Sequence, residues 1–267
     1  MLLRSVKDTG FLALGILAAF SHVVDAYYNI EHQLKPQGEL GVALDYSLAT
    51  SWPEEQDKKD NRARRNWFFS SHLKFKESVD QIEDGVLWQI ARDAIDEMTA
   101  EAEQYGITRR NIPGAMAILA WGNEIILASS QRPISFSYGY HGTEVLESLK
   151  LCQMVWHEMT GDDQEHRRQG MCAEPMAVHL YYSMTETPLQ NQRARIGAWT
   201  PIRSGGWKQS DPCGFADEWG CALFIADQNL QVIKDDITPK EYDLKELAGG
   251  VSIRDQIQLC SVARAHG

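Results

Sequence analysis

The sequence is short of positive charge. It sets 26 lysines and arginines against 37 acidic residues, a formal net charge of −11. That balance excludes a protein whose whole surface is built to grip a polyanion. The basic residues come in small groups: Arg62, Arg64 and Arg65; Arg167 and Arg168; Arg193 and Arg195; Arg203 and Lys208. Groups of this size read as solvated surface, with a local basic groove as the sharper alternative. Beyond the first residues no segment is long and apolar enough to span a bilayer. No asparagine is followed two places later by serine or threonine, so there is no acceptor for an N-linked glycan. No repeat period is visible, which excludes solenoids and propellers. Cysteine is scarce and odd in number: Cys152, Cys172, Cys213, Cys221 and Cys260. Five thiols are accounted for by three metal thiolates and one disulfide, or equally by two disulfides and one free thiol.

What is present supports a packed core. Hydrophobic residues make up 43% and charged residues 24% of 267, ordinary values for a globular chain with room for one sizeable domain and extensions. The first residues, "MLLRSVKDTGFLALGILAAFSHVVDA", combine Arg4 and Lys7, an apolar run Phe11–Phe20, and small residues before Ala26. This pattern predicts a signal peptide over 1–26, cleaved after Ala26, hence a secreted protein with no stable membrane association. An uncleaved amphipathic helix is the plainer alternative.

Residues 27–77 read as a charged N-terminal extension, because "SWPEEQDKKDNRARRN" is dense in charge and poor in apolar residues. Regular structure is expected from Ser78, with an α/β domain over 78–240 and a C-terminal extension over 241–267. Leu87, Ile90, Ala91, Ala94, Ile95, Met98 and Ala102 recur at helical spacing, with Gly106 at the end. Two apolar runs around Gly122-Asn123 predict a β-hairpin. "TEVLESLKLCQMVWHEMTG" predicts a helix capped by Thr143 and Gly161, with Cys152 on its apolar side as a small buried hydrophobe. After a polar loop, "MCAEPMAVHLYYSM" predicts another helix, in whose first turn Pro175 costs little. "ARIGAWTP" predicts a strand, "RSGGWKQSD" a glycine-rich loop, and "GCALFIADQNL" a helix or a buried strand. Helices alternating with strands in this order predict a mixed central sheet in an α/β layered fold.

The cysteines carry the chemistry. A thiolate is the metal-binding form, and a helix N-terminus favours it; Cys172 and Cys221 each stand at one. Three thiolates with one position left for water make a catalytic zinc site, whereas structural sites are closed by a fourth protein ligand. Here the unassigned candidates for that ligand are His141, His157, His166 and His179. Glu174, two residues after Cys172, is placed to take a proton from water and deliver it to a leaving ammonia.

"MCAEPMAV" resembles the C-A-E helix of the cytidine deaminase-like superfamily, and "DPCGFADEWGCA" resembles its Pro-Cys…Cys segment. The order of elements agrees over about residues 80–235. The resemblance implies a three-layer α/β/α fold around a mixed central sheet, Zn2+ held by Cys172, Cys213 and Cys221, and Glu174 as the proton shuttle. It implies a nucleobase-containing substrate, single-stranded nucleic acid included, and an exported toxin or effector is one setting for it. Two departures stand out. The family separates its last two cysteines by two residues, while "GFADEWG" intervenes here, so either this insertion loops out or the third ligand is missing. The Asn and Glu that hold the ribose of free nucleosides have no counterpart in "ASSQRPISFSYGYHG", which turns the expectation toward a base within a larger molecule.

Three other readings compete. A secreted, disulfide-stabilised binding or effector protein would join Cys213 to Cys221, and Cys152 or Cys172 to Cys260, leaving Glu174 as a first-turn acid. A binding protein would use the aromatic loop "ISFSYGYHG" as its contact surface. A Cys/His hydrolase would use Cys172 as nucleophile, although nothing assigns a base to any histidine. His179 reads as a packed or exposed helix histidine, and Arg167 and Arg168 as surface.

Overall fold

The computed structural model describes residues 28–53, 64–214 and 218–260. The signal-peptide reading of 1–26 therefore lies outside the described residues, as does most of the charged run from 54 to 63. Along the chain the elements are β1 (Ala43–Leu44), α1 (Tyr46–Ser51), β2 (Phe69–Phe75), α2 (Asp84–Gln104), β3 (Met116–Trp121), β4 (Glu124–Ser129), α3 (Phe136–Gly139), α4 (Glu144–Thr160), α5 (Ala173–Met184), β5 (Arg195–Pro201), β6 (Trp207–Ser210), α6 (Cys221–Asp227), β7 (Gln231–Val232) and β8 (Val251–Asp255).

The strands form one sheet in the order β1-β2-β4-β3-β5-β6, with β8 also paired to β2 and β7 to β5. Every pairing is antiparallel except β5 with β7, so the sheet is mixed by that one short parallel contact. The hairpin of β3 and β4 turns at Gly122-Asn123, as its two-residue loop requires.

The pleat divides the core. Met116, Ile118 and Ala120 of β3 and Ile125 and Leu127 of β4 face α2 on one side. Leu119, Trp121, Ile126 and Ala128 face α4, α5 and α6 on the other. Residues two apart along a strand share a face, so one apolar run serves two cores. Helices thus cover both faces of an α/β sheet. Helix α5 lies directly on β3 and β4, and α4 packs outside it against α5 and α6.

The helix ends follow their sequence signals. Thr143 accepts a hydrogen bond from the Leu146 N–H at the start of α4, and Gly161, in the left-handed region at φ 75°, ends it. Cys152 is buried on the inner side of α4. The "GCALFIADQNL" stretch is helix α6.

Regular structure begins well before Ser78. Strand β2 lies inside the sheet between β4 and the strands β1 and β8, although the apolar face of "FSSHLKF", made by Phe69, Leu73 and Phe75, is interrupted by Ser71. Three of its four polar residues, Ser70, Ser71 and His72, are buried with partners. Ser71 Oγ donates to the Leu40 carbonyl at 2.5 Å, and His72 sits between Asp255 at 2.8 Å and Glu124 at 2.7 Å. Buried polar groups are tolerated when they are paired, and such pairing is invisible in a hydropathy pattern. The two flanking segments meet here, since β8 from the C-terminal stretch pairs β2 from the N-terminal one. The glycine-rich loop after β5 also contains a strand, β6, which closes a hairpin on β5.

Candidate metal centre

Four side chains converge at the N-terminal ends of α5 and α6. The ligand atoms of His166, Cys172, Cys213 and Cys221 all lie within 4.8 Å of one another, a group that could hold a metal ion. Cys172 is the N-cap residue of α5, and Cys221 is the first residue of α6. Both sulfurs therefore stand where free backbone N–H groups favour negative charge. Cys213 lies in the loop before α6, and the chain around it is closely tied. The Ala222 N–H donates to the Cys213 carbonyl at 2.9 Å, and the Cys221 N–H donates to the Cys213 sulfur at 3.5 Å.

The segment between Cys213 and Cys221 begins and ends at a narrow neck, formed by Gly214 and Gly220. Gly214 has φ +90°, and a Cβ built on it would fall 2.3 Å from the backbone nitrogen of Gly220. A Cβ on Gly220 would fall 2.6 Å from the Cys213 carbonyl oxygen and 2.9 Å from its sulfur. Only residues without a Cβ allow the two strands of the neck to touch, and this contact brings Cys221 back to Cys213. Trp219, the last large residue of the insertion, is 2% exposed and packs in the core beneath α4 and α5.

The sulfur geometry suits a shared ion. The Cys172 and Cys213 sulfurs are 3.8 Å apart. Two thiolates at about 2.3 Å from a tetrahedral zinc stand about 3.8 Å from each other. All five cysteines are free, so the predicted joining of Cys213 to Cys221, or of Cys260 to Cys152 or Cys172, does not occur in the structure. Hydrogen bonds from Cys172 and Cys221 hold Cys213 well below the ordinary thiol range. The hydrogen bond to Cys213 holds Cys172 above it, and burial does the same for Cys221. Thiols clustered and buried in this way ionise together only when a cation lies beside them.

Glu174 stands in the first turn of α5, 6% exposed, with its Oε2 3.8 Å from the Cys221 sulfur. Burial, with the nearby Cys213 adding to it, pushes its carboxyl up to about 7. A carboxyl poised there exchanges a proton readily near neutral pH. Cys172 and Cys213 are half-buried while Cys221 and Glu174 are buried, so the cluster meets solvent on the Cys172 and Cys213 side.

Of the four histidines considered from the sequence, the fold brings His166 alone to the sulfurs. His141 and His157 are exposed. His179 is buried, hydrogen-bonded to Ser137 Oγ at 3.0 Å and edge-on to Phe136, and burial pushes its ring down to about 3. His166 sits in the loop before α5, which has no periodicity to mark it. In the "ISFSYGYHG" loop, Phe136 and Ser137 are buried and Tyr140 is exposed and stacked on Phe136. Arg167 is a surface residue paired with Glu218 at 3.2 Å. Compared with protein-family models, with curated proteins and with solved structures, the chain matches none of them.

Proposed function

We propose that the protein is a zinc-dependent hydrolytic deaminase that acts on the amino group of a nucleobase, and that it is exported. The observation that carries this reading is the meeting of three cysteine sulfurs with a buried glutamate in one turn of α5. Cys172, Cys213 and Cys221 would hold the ion. When bound, a zinc ion with three thiolate ligands supplies the acid that makes water nucleophilic near neutral pH.

The chain's own residues do the rest. Glu174 takes a proton from the attacking water and hands one to the departing nitrogen. Oxygen adds to the ring carbon, the carbon–nitrogen bond breaks, ammonia leaves, and the ring gains a carbonyl, with the water's second proton ending on the adjacent ring nitrogen. Burial raises the hold of this carboxyl on a proton, which suits a group that both takes a proton and returns one. The burial of Glu174 and Cys221 excludes bulk water from the reacting side. Helices on both faces of a mixed sheet, and the succession of α2, the β3–β4 hairpin, α5 with its C-A-E turn, β5 and α6, with α3 and α4 interposed before α5 and β6 before α6, support the cytidine deaminase-like fold. The lack of ribose-binding Asn and Glu after β4 supports a base carried in a larger molecule, single-stranded nucleic acid being the first to test.

The test has two arms. Purified protein should carry about one zinc per chain, lost in Cys172→Ser and Cys213→Ser. Glu174→Ala should keep the zinc and lose ammonia release from cytosine- and adenine-containing nucleotides and single strands. A Cys213–Cys221 disulfide in the native protein, seen by mass spectrometry, would overturn the reading and favour a disulfide-stabilised binding protein. Undiminished ammonia release in the Glu174 variant would remove that residue from its role.

A further inference from the structure

We infer that His166 is not a fourth metal ligand but an N–H donor to the Cys221 sulfur, and so keeps one coordination position clear beside Glu174. The distance alone does not separate these roles. His166 Nε2 lies 3.4 Å from Cys221 Sγ, a spacing that two ligands of one ion and a hydrogen-bonded pair both adopt. The other ring nitrogen decides. Nδ1 accepts the backbone N–H of Arg168 at 3.1 Å and that of Gly170 at 3.2 Å. A nitrogen that accepts two hydrogen bonds carries no hydrogen, so the ring's hydrogen is on Nε2, facing the sulfur. Ligation through Nε2 would need its lone pair, would move the hydrogen to Nδ1, and would set it against two backbone donors.

Its neighbours hold the ring in this orientation. Trp219 packs edge-on against it, ring centres 5.0 Å apart at 89°. The Trp219 indole N–H is itself fixed to the Gln164 carbonyl at 2.6 Å. The His166 backbone N–H donates to the Tyr138 hydroxyl at 3.1 Å. Gly170, whose φ is +66°, brings its N–H to Nδ1 by a backbone turn that side chains disfavour. The insertion that lengthens the Cys213–Cys221 spacing thus supplies the tryptophan that braces the ring. His166 is a positioning residue, acting through Cys221. A donor to a metal thiolate tempers its charge and fixes its direction, which is the outer-shell role.

The inference rests on the proposed reading for the identity of the ion, and its test separates the two. Nitrogen-15 spectra of histidine-labelled full-length protein, with His166→Ala to assign the signal, should show His166 with its hydrogen on Nε2 both before and after zinc is added. X-ray absorption at the zinc edge should show three sulfurs and one light atom, with no imidazole scattering. His166→Ala should bind zinc about 10–100-fold more weakly with the three-sulfur shell intact. His166→Gln, whose side-chain N–H reaches the same sulfur, should recover part of that loss. A hydrogen on Nδ1, or imidazole scattering from the zinc-loaded protein, would overturn the inference while leaving a zinc protein. Failure to take up zinc would overturn the proposed function, and the metal-free spectrum would still decide the tautomer.

Discussion

Replacing Gly214 by alanine probes the contact on which the candidate centre depends. The new Cβ would stand 2.3 Å from Gly220 N, 2.7 Å from its Cα and 2.8 Å from the Trp219 carbonyl carbon, all of them backbone atoms. Non-bonded heavy atoms settle at about 3.5 Å, so the neck must open by about 1 Å. The positive φ adds backbone strain of roughly 1–2 kcal/mol, and overpacking against backbone adds about 1–3. Gly205 offers a matched control, since its φ is +100° but a Cβ there meets nothing within 4 Å. Gly205→Ala should therefore lose only the strain, and Gly214→Ala should be less stable than it by about 1–3 kcal/mol. In a chain of this size each kcal/mol lowers the melting temperature by roughly 2–4 °C, which scanning calorimetry resolves.

The second readout is zinc affinity. Opening the neck pulls Cys213 away from the Cys221 N–H, 3.5 Å off, and from the Ala222 N–H, 2.9 Å off. Competition with a chromophoric chelator should show zinc bound at least about tenfold more weakly by Gly214→Ala, a loss of about 1.4 kcal/mol, and unchanged by Gly205→Ala. If the two variants melt together and bind zinc alike, the neck does not hold the second and third sulfurs in place.

Burial holds His179 neutral down to about 3, well below its ordinary 6.5. Its contribution to stability is complete above 6.5 and is lost as pH falls toward 3, roughly 2 kcal/mol being gone by pH 5. Urea unfolding at pH 7.5 and pH 5 should show that acid loss reduced by about this amount in His179→Gln, and equal slopes would refute the assignment. Glu174 has the opposite sign. Its folded value of about 7 stands above the ordinary 4.5, so its contribution is present below 4.5 and lost as pH rises through 7. Metal-free Glu174→Gln should therefore exceed the parent in stability by roughly 3 kcal/mol at pH 8, with the gap narrowing when zinc is added; a gap that is absent in the metal-free form would count against the buried carboxyl. After chelation, alkylation and peptide mapping should find Cys213 modified first, since it is half-buried and its thiol is held below the ordinary range. Cys152 should stay protected, because burial pushes its thiol up to about 12. Zinc should shield Cys213, and labelling indifferent to zinc would separate it from the metal.

The readable parts of the fold are those whose packing follows a period. Helix α2 shows its stripe in Leu87, Ile90, Ala91, Ala94 and Met98, all buried. The β3–β4 hairpin shows two apolar runs around its turn. Strand β2 hides because Ser70, Ser71 and His72 are buried on partners from distant segments, among them Leu40, Glu124 and Asp255. Strand β8 hides because four of its five residues are exposed and its place comes from backbone pairing to β2. The candidate centre divides the same way. Cys172 and Glu174 share one turn and Pro212-Cys213 a recognisable dipeptide, so they stand out in the chain. His166 owes its place to Tyr138, Trp219 and the Arg168 and Gly170 amides, none of which a spacing rule connects.

The long Cys213–Cys221 spacing looks like damage to the motif until its energetics are weighed. Seven residues stand between the cysteines where the resembling family has two. Loop closure grows only logarithmically, about 0.6 kcal/mol per doubling, so the longer loop costs about 1 kcal/mol. Burying one large apolar side chain contributes about 1.5–3 kcal/mol, and Trp219 of the insertion is 2% exposed. The insertion therefore offsets its own entropy, provided its ends can meet. Gly214 and Gly220, at its two ends, are the residues that let them meet. The sequence distance between two cysteines is thus a weak constraint on whether their sulfurs can meet. What the meeting needs is a close approach of the two ends of the segment, and that approach depends on the missing Cβ atoms of Gly214 and Gly220.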